Sequence, residues 1–129
     1  MGKINNKPFE LTKKRIKEKD YIVGIIGLGY VGLPLTLNYC EKGVKVIGID
    51  INEEYLNKLR EGQSYIHHIK SERIAKQINN KNLFPTSDFS EVSNADVIII
   101  CVPTPLTAHR EPDIRYILST LESLKNFIK

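Results

Sequence analysis

From Tyr21 onward, short apolar runs alternate with longer segments that carry a helical rhythm. "YIVGII" (21–26), "VKVIGI" (44–49) and "DVIIICV" (96–102) are apolar almost throughout, as strands buried on both faces are. "LFPTS" (83–87) reads as a shorter strand of the same kind. Between them, "YVGLPLTLNYCEKG" (30–43) and "NEEYLNKLREG" (52–62) read as helices closed by Gly43 and Gly62. Asn52 is the expected N-cap of the second, with Glu53 and Glu54 in its first turn. "SERIAKQINNKN" (71–82) is another helical segment, for which Ser71 is the expected cap. In residues 111–129, Ile114, Ile117, Leu118, Leu121, Leu124 and Ile128 recur at helical spacing behind Asp113. Ahead of Tyr21, residues 8–19 have helix-forming composition, with Phe9, Leu11 and Ile16 only loosely on one face.

Strands alternating with helices imply a parallel sheet with right-handed crossovers. The expected fold is therefore α/β, a Rossmann-type doubly wound sheet of about four strands in the order 3-2-1-4, with helices on both faces. Residues 1–19 would form an amino-terminal extension and residues 20–129 the nucleotide-binding domain. "DVIIICV" would then lie at a sheet edge although its composition suits an interior strand. Since a complete domain of this type has about six strands, the expectation is a chain cut short.

The chemistry sits where the first strand meets the first helix. Gly27, Gly29 and Gly32 form a G-x-G-x-x-G pattern that follows a strand and opens a helix, and Asp50 ends the next strand 23 residues after Gly27. In that context Gly27 allows a tight turn, Gly29 lets the backbone approach a pyrophosphate, and Gly32 lets helix and strand pack closely. Free amides at the helix start would face the anion. Pro34 fits a helix beginning near Tyr30, because the first turn needs no N–H there. Asp50 would accept hydrogen bonds from the adenosine ribose hydroxyls and repel a 2′-phosphate, which selects NAD over NADP. A second loop, "VPTPL" (102–106), is expected at the same crevice, with Thr104 facing the nicotinamide half of the cofactor.

Composition narrows the setting. The chain has 129 residues, 41% hydrophobic and 26% charged, as an ordinary globular domain does. Seven of its 19 basic residues are Lys3, Lys7, Lys13, Lys14, Arg15, Lys17 and Lys19, so the net charge of +4 belongs mostly to the leading segment. Without interleaved aromatic residues or a nucleic-acid motif, that run reads as a solvated face, and no nucleic acid is expected as a partner. The longest apolar run falls far short of the roughly 20 residues a membrane helix needs, and no membrane association is expected. Cys40 and Cys101 are too few and too far apart for a zinc site, so a reducing cytoplasm is the expected compartment. His67, His68 and His109 have no acidic partner at ligand spacing, and no metal is expected.

"VGIIGLGYVGLPL", "VIGIDIN", "GQSYIHHI", "DVIIICVPTPL" and "REPDIRYI" follow one another across residues 20–129. In sequence and order they resemble the amino-terminal domain of the nucleotide-sugar 6-dehydrogenases, which oxidise the C6 alcohol of a UDP-sugar to a carboxylate using two molecules of NAD. "GQSYIHHI" together with "CVPTPLTAHREPD" is most similar to the UDP-N-acetylglucosamine 6-dehydrogenase branch. The resemblance implies Gly27, Leu28, Gly29, Tyr30, Val31 and Gly32 around the pyrophosphate and Asp50 at the adenosine ribose. It implies Val102, Pro103 and Thr104 near the nicotinamide and substrate side, and Asn52 and Arg60 as neighbours of the adenosine half. Tyr65 and His68 would shape the crevice mouth or an interface of the full enzyme. The family's nucleophilic cysteine, catalytic lysine and sugar-binding domain would lie past residue 129, so no catalytic residue is expected in this chain and alone it is expected to be inactive. The whole enzyme is expected to be a homo-oligomer. A different reading, a free-standing module that binds NAD(H) without catalysis, is separated from the first by whether the reading frame continues.

Overall fold

In the computed structural model, residues 7–103 and 106–128 are described. Their element order is α1 (Lys7–Lys17), β1 (Ile22–Ile26), α2 (Gly32–Glu41), β2 (Lys45–Ile49), α3 (Glu53–Arg60), α4 (Ser71–Asn79), β3 (Leu83–Thr86), a 3-10 turn (Phe89–Asn94), β4 (Val97–Ile100) and α5 (Arg115–Leu124). The strands form a parallel sheet in the order β3-β2-β1-β4, the expected topology. Ile25 of β1 stands opposite Gly48 of β2 on one side and Ile99 of β4 on the other. Chain reversal between β1 and β4 opens the carboxyl ends of the central strands to solvent, and both candidate loops leave the sheet there.

Because side chains alternate along a strand, each central strand feeds two cores. Val23, Ile25 and Val46 face one side, where Leu33, Leu37, Leu56, Leu59 and Ile74 from α2, α3 and α4 cover them. Ile26, Ile47 and Ile49 face the other, against Val92 of the 3-10 turn and Leu124 of α5. A bidentate pair between Arg73 and Glu41, at 3.0 and 2.8 Å, ties α4 to the end of α2. At the amino ends of β1 and β4, the Arg15 guanidinium of α1 grips both carboxylate oxygens of Asp96 at 3.1 and 2.9 Å. Asp96 also accepts the Ile22 amide at 2.9 Å, so α1, β1 and the entrance to β4 meet at one carboxylate.

The α2 start, the α4 cap and the 3-10 turn depart from the sequence reading. Regular helix begins at Gly32 rather than near Tyr30, although the Leu33 amide already donates to the Gly29 carbonyl at 3.1 Å. Helix bounds commonly shift by this much when the first turn grows out of a loop. Ser71 does not cap α4: Lys70 occupies the cap position, and the Ser71 hydroxyl accepts the Ser64 amide at 3.0 Å instead. The 3-10 turn was not foreseen, and Asp88 starts it by accepting the Ser90 amide at 3.0 Å. Of the apolar stripe on α5, Leu124 is buried, whereas Ile114, Leu118, Leu121 and Ile128 stay exposed. The edge position of β4 follows expectation, and its first residue, Val97, is 45% exposed.

Candidate functional site

The glycine loop is shaped by its backbone contacts. Gly27 takes φ +98°, a left-handed conformation that favours glycine, while its amide donates to the Ile49 carbonyl at 2.8 Å. A Cβ on Gly27 would lie 2.6 Å from the Cys101 carbonyl oxygen, and one on Gly32 would lie 1.6 Å from the Gly27 carbonyl oxygen. These two glycines are therefore required by packing. Gly29 differs: a Cβ there would meet nothing within 4 Å, so its smallness keeps open space beside the crevice.

Asp50 binds the loop to the next helix. Its carboxylate accepts the Leu28 amide at 2.7 Å through Oδ2 and the Asn52 amide at 2.8 Å through Oδ1. Asn52 caps α3 as expected, its side-chain oxygen accepting the Tyr55 amide at 3.2 Å. Leu28 itself is fully buried, packed toward Gly48, where a Cβ would come within 3.1 Å of its methyl groups. Beyond it, Tyr65 donates its hydroxyl to the Leu28 carbonyl, and its ring stacks on that of Tyr55 with centroids 4.0 Å apart and planes within 1°. Burial pushes the Tyr65 phenol up, with the nearby Asp50 charge adding to it, so it remains a donor.

These elements enclose a crevice of about 870 Å³ at the carboxyl ends of β1, β2 and β4. Gly27, Gly29, Tyr30, Val31, Asp50, Asn52, Val102 and Pro103 line it, so the structure brings most of the sequence-named residues together. Leu28 and Gly32 lie behind the lining and support it. Arg60 is not among the lining residues: its guanidinium donates to Asn57 and to the Pro85 carbonyl and stands 4.0 Å from the Glu53 carboxylate at the start of α3. Thr104 lies outside the described residues.

Sequence reasoning missed the opposite wall. Phe89 of the 3-10 turn and Tyr116, Ser119, Thr120 and Ser123 of α5 also line the crevice. The α5 residues follow an i, i+3, i+4, i+7 rhythm, a second stripe hidden behind the more conspicuous apolar one. Asp113 secures the start of this helix, its carboxylate accepting the Arg115 amide at 3.1 Å and the Arg115 guanidinium besides. The guanidinium, reinforced by that amide, holds the Asp113 carboxyl down at about 2.

The remaining reactive side chains do not converge. Cys101 lines the crevice, and burial pushes its thiol up. Cys40 lies on the buried face of α2, where burial, with the Glu41 charge behind it, raises its thiol to about 12. His67, His68 and His109 are exposed, and among the described residues no group of His, Cys, Asp or Glu is placed to hold a metal ion. No helix among the described residues is long and apolar enough to cross a membrane.

A family model described as "UDP-glucose/GDP-mannose dehydrogenase family, NAD binding domain" matches residues 21–129. The chain belongs to this family. Among curated relatives, the UDP-N-acetyl-D-mannosamine dehydrogenase of Methanococcus maripaludis is 36% identical over 110 residues, a match covering 81% of this chain and 25% of that protein. The UDP-N-acetyl-D-glucosamine 6-dehydrogenase of Pseudomonas aeruginosa is 32% identical over 86% of this chain and 25% of its own length. Among solved structures, the GDP-mannose dehydrogenase of Pseudomonas aeruginosa superposes with a TM-score of 0.79 at 29% identity, over 82% of this chain and 25% of that one. The chain thus spans about a quarter of the length of the relatives it matches. In this chain the fold is a parallel sheet with the crevice at its carboxyl edge.

Proposed function

We propose that this chain is the cofactor-binding part of an NAD-dependent nucleotide-sugar dehydrogenase, one that oxidises C6 of UDP-N-acetylglucosamine or a related UDP-hexose to the uronate. The observation that carries the reading is the Asp50 carboxylate, which joins the Leu28 amide of the glycine loop to the Asn52 amide of α3 at the crevice wall. A carboxylate at that corner suits the two hydroxyls of an unmodified ribose and opposes a 2′-phosphate. Gly27, Gly29, Tyr30 and Val31 would surround the diphosphate, with Leu28 and Gly32 supporting them from behind, and Asn52 would flank the adenosine. Val102, Pro103 and Thr104 would stand toward the nicotinamide. NAD, when bound, supplies the hydride acceptor, while these residues bind it, orient it and exclude water.

The reading divides the chain into a leading segment, 1–19, and the NAD-binding domain, 20–129. Catalytic groups would come from other parts of the longer enzyme, leaving this chain inactive alone. It places the protein in the cytoplasm, in keeping with two free thiols, and makes it a homo-oligomer, in keeping with the exposed apolar residues of α5. Titration calorimetry with NAD and NADP tests the cofactor reading. NAD should bind and NADP should bind more weakly; equal affinities would remove the role given to Asp50, and no binding of either would remove the reading itself.

A further inference from the structure

The segment "GQSYIHHI" has no strand or helix of its own, yet Tyr65 within it reaches the centre of the glycine loop. Its hydroxyl donates to the Leu28 carbonyl, and the Leu28 amide is held in turn by Asp50 at 2.7 Å. Leu28 is therefore fixed through both of its backbone groups. The peptide that follows Leu28 is trans, so its carbonyl and the Gly29 N–H point to opposite sides of one rigid plane. Tyr65 pulls that carbonyl inward, away from the crevice. The Gly29 N–H is thereby turned the other way, and it has no partner among the described residues, while Gly29 itself lines the crevice. The stacked ring of Tyr55, capped in place through Asn52, fixes the Tyr65 ring against rotation.

We propose that Tyr65 is a positioning residue for cofactor binding, aiming the Gly29 amide at the diphosphate of a bound dinucleotide through the Leu28–Gly29 peptide. This rests on the cofactor reading above and adds to it a residue outside the glycine motif. A phenol is well suited to the task, because it donates one directed hydrogen bond from a rigid ring with few torsions to fix.

The discriminating variant is Tyr65→Phe, which keeps the stack on Tyr55 and removes only the hydroxyl. NAD, ADP and adenosine are titrated into the parent and the variant, and binding is followed by amide NMR. The variant should bind NAD and ADP about 5- to 10-fold more weakly, the loss expected for one directed hydrogen bond. Adenosine, which has no diphosphate, should change less than about twofold. In the parent, ADP should shift the Gly29 amide resonance while adenosine leaves it unmoved, a measurement that stands even if the variant folds poorly. Equal losses for ADP and adenosine, or an unmoved Gly29 amide on ADP binding, would overturn the proposal while leaving the cofactor reading intact. A parent that binds neither NAD nor ADP would overturn both.

Discussion

Replacing Gly29 and Gly32 by alanine separates folding from binding within a single motif. A Cβ on Gly32 would fall 1.6 Å from the Gly27 carbonyl oxygen, and backbone on both sides must move to admit it. That overpacking should cost more than about 3 kcal/mol, which for a domain of this size lowers the melting temperature by roughly 10 °C or more. Gly29 has a negative φ and nothing within 4 Å of the added methyl. Stability should be unchanged or raised by up to about 1 kcal/mol, because alanine narrows the unfolded ensemble. The same methyl would occupy the space through which a diphosphate approaches the loop. A clash of about 1–3 kcal/mol in the complex corresponds to roughly 5- to 150-fold weaker NAD binding. Differential scanning calorimetry and NAD titration on the two variants give four numbers. If Gly29→Ala melts as early as Gly32→Ala, the assignment of open space is wrong; if it binds NAD like the parent, the diphosphate does not pass that residue.

Three further outcomes are expected. Asp50→Ala removes two charge-assisted bonds from the Leu28 and Asn52 amides; NAD affinity should fall by about tenfold or more while NADP changes little, and a preserved NAD-to-NADP ratio in parallel titrations would count against the ribose contact. The Asp113 carboxyl is held down at about 2, from 3.8, by Arg115, so the support it gives α5 is complete above about pH 4 and is lost as the pH falls toward about 2; thermal melts by circular dichroism from pH 5 to 2 should show a component in the parent that Asp113→Asn lacks. Cys101 lines the crevice and Cys40 is buried, so a thiol reagent should reach Cys101 first and NAD should slow it, whereas Cys40 should react only on unfolding; mass spectrometry that finds Cys40 modified first would contradict this packing.

The elements written by local rules were the ones legible beforehand. β1, α2, β2 and α3 each carry their own signals, namely apolar runs, Gly43, the Asn52 cap and Gly62, and those signals act over a few residues. Features that depend on distant partners were not. Ser71 has the chemistry of a cap, but the Ser64 amide claims its hydroxyl. Arg60 lies eight residues beyond Asn52, about 12 Å along a helix at ~1.5 Å per residue, and its guanidinium also donates to the Pro85 carbonyl, a partner 25 residues away with no local signature. The α5 stripe announced an amphipathic helix without saying which of its sides this chain covers. Leu124 found a core, while Ser119, Thr120 and Ser123 found the crevice. Tyr65 was singled out by its motif, yet its grip on the Leu28 carbonyl joins segments 37 residues apart and has no local signature.

Asp96 sets the unit in which this protein should be handled. The family match begins at Tyr21, but the carboxylate that receives the Ile22 amide is also clasped by Arg15 of α1. A gene trimmed to the matched boundary would remove the Arg15 guanidinium from the carboxylate that holds the first amide of β1. The smallest unit that preserves the junction therefore starts ahead of residues 21–129, the stretch that the family model matches.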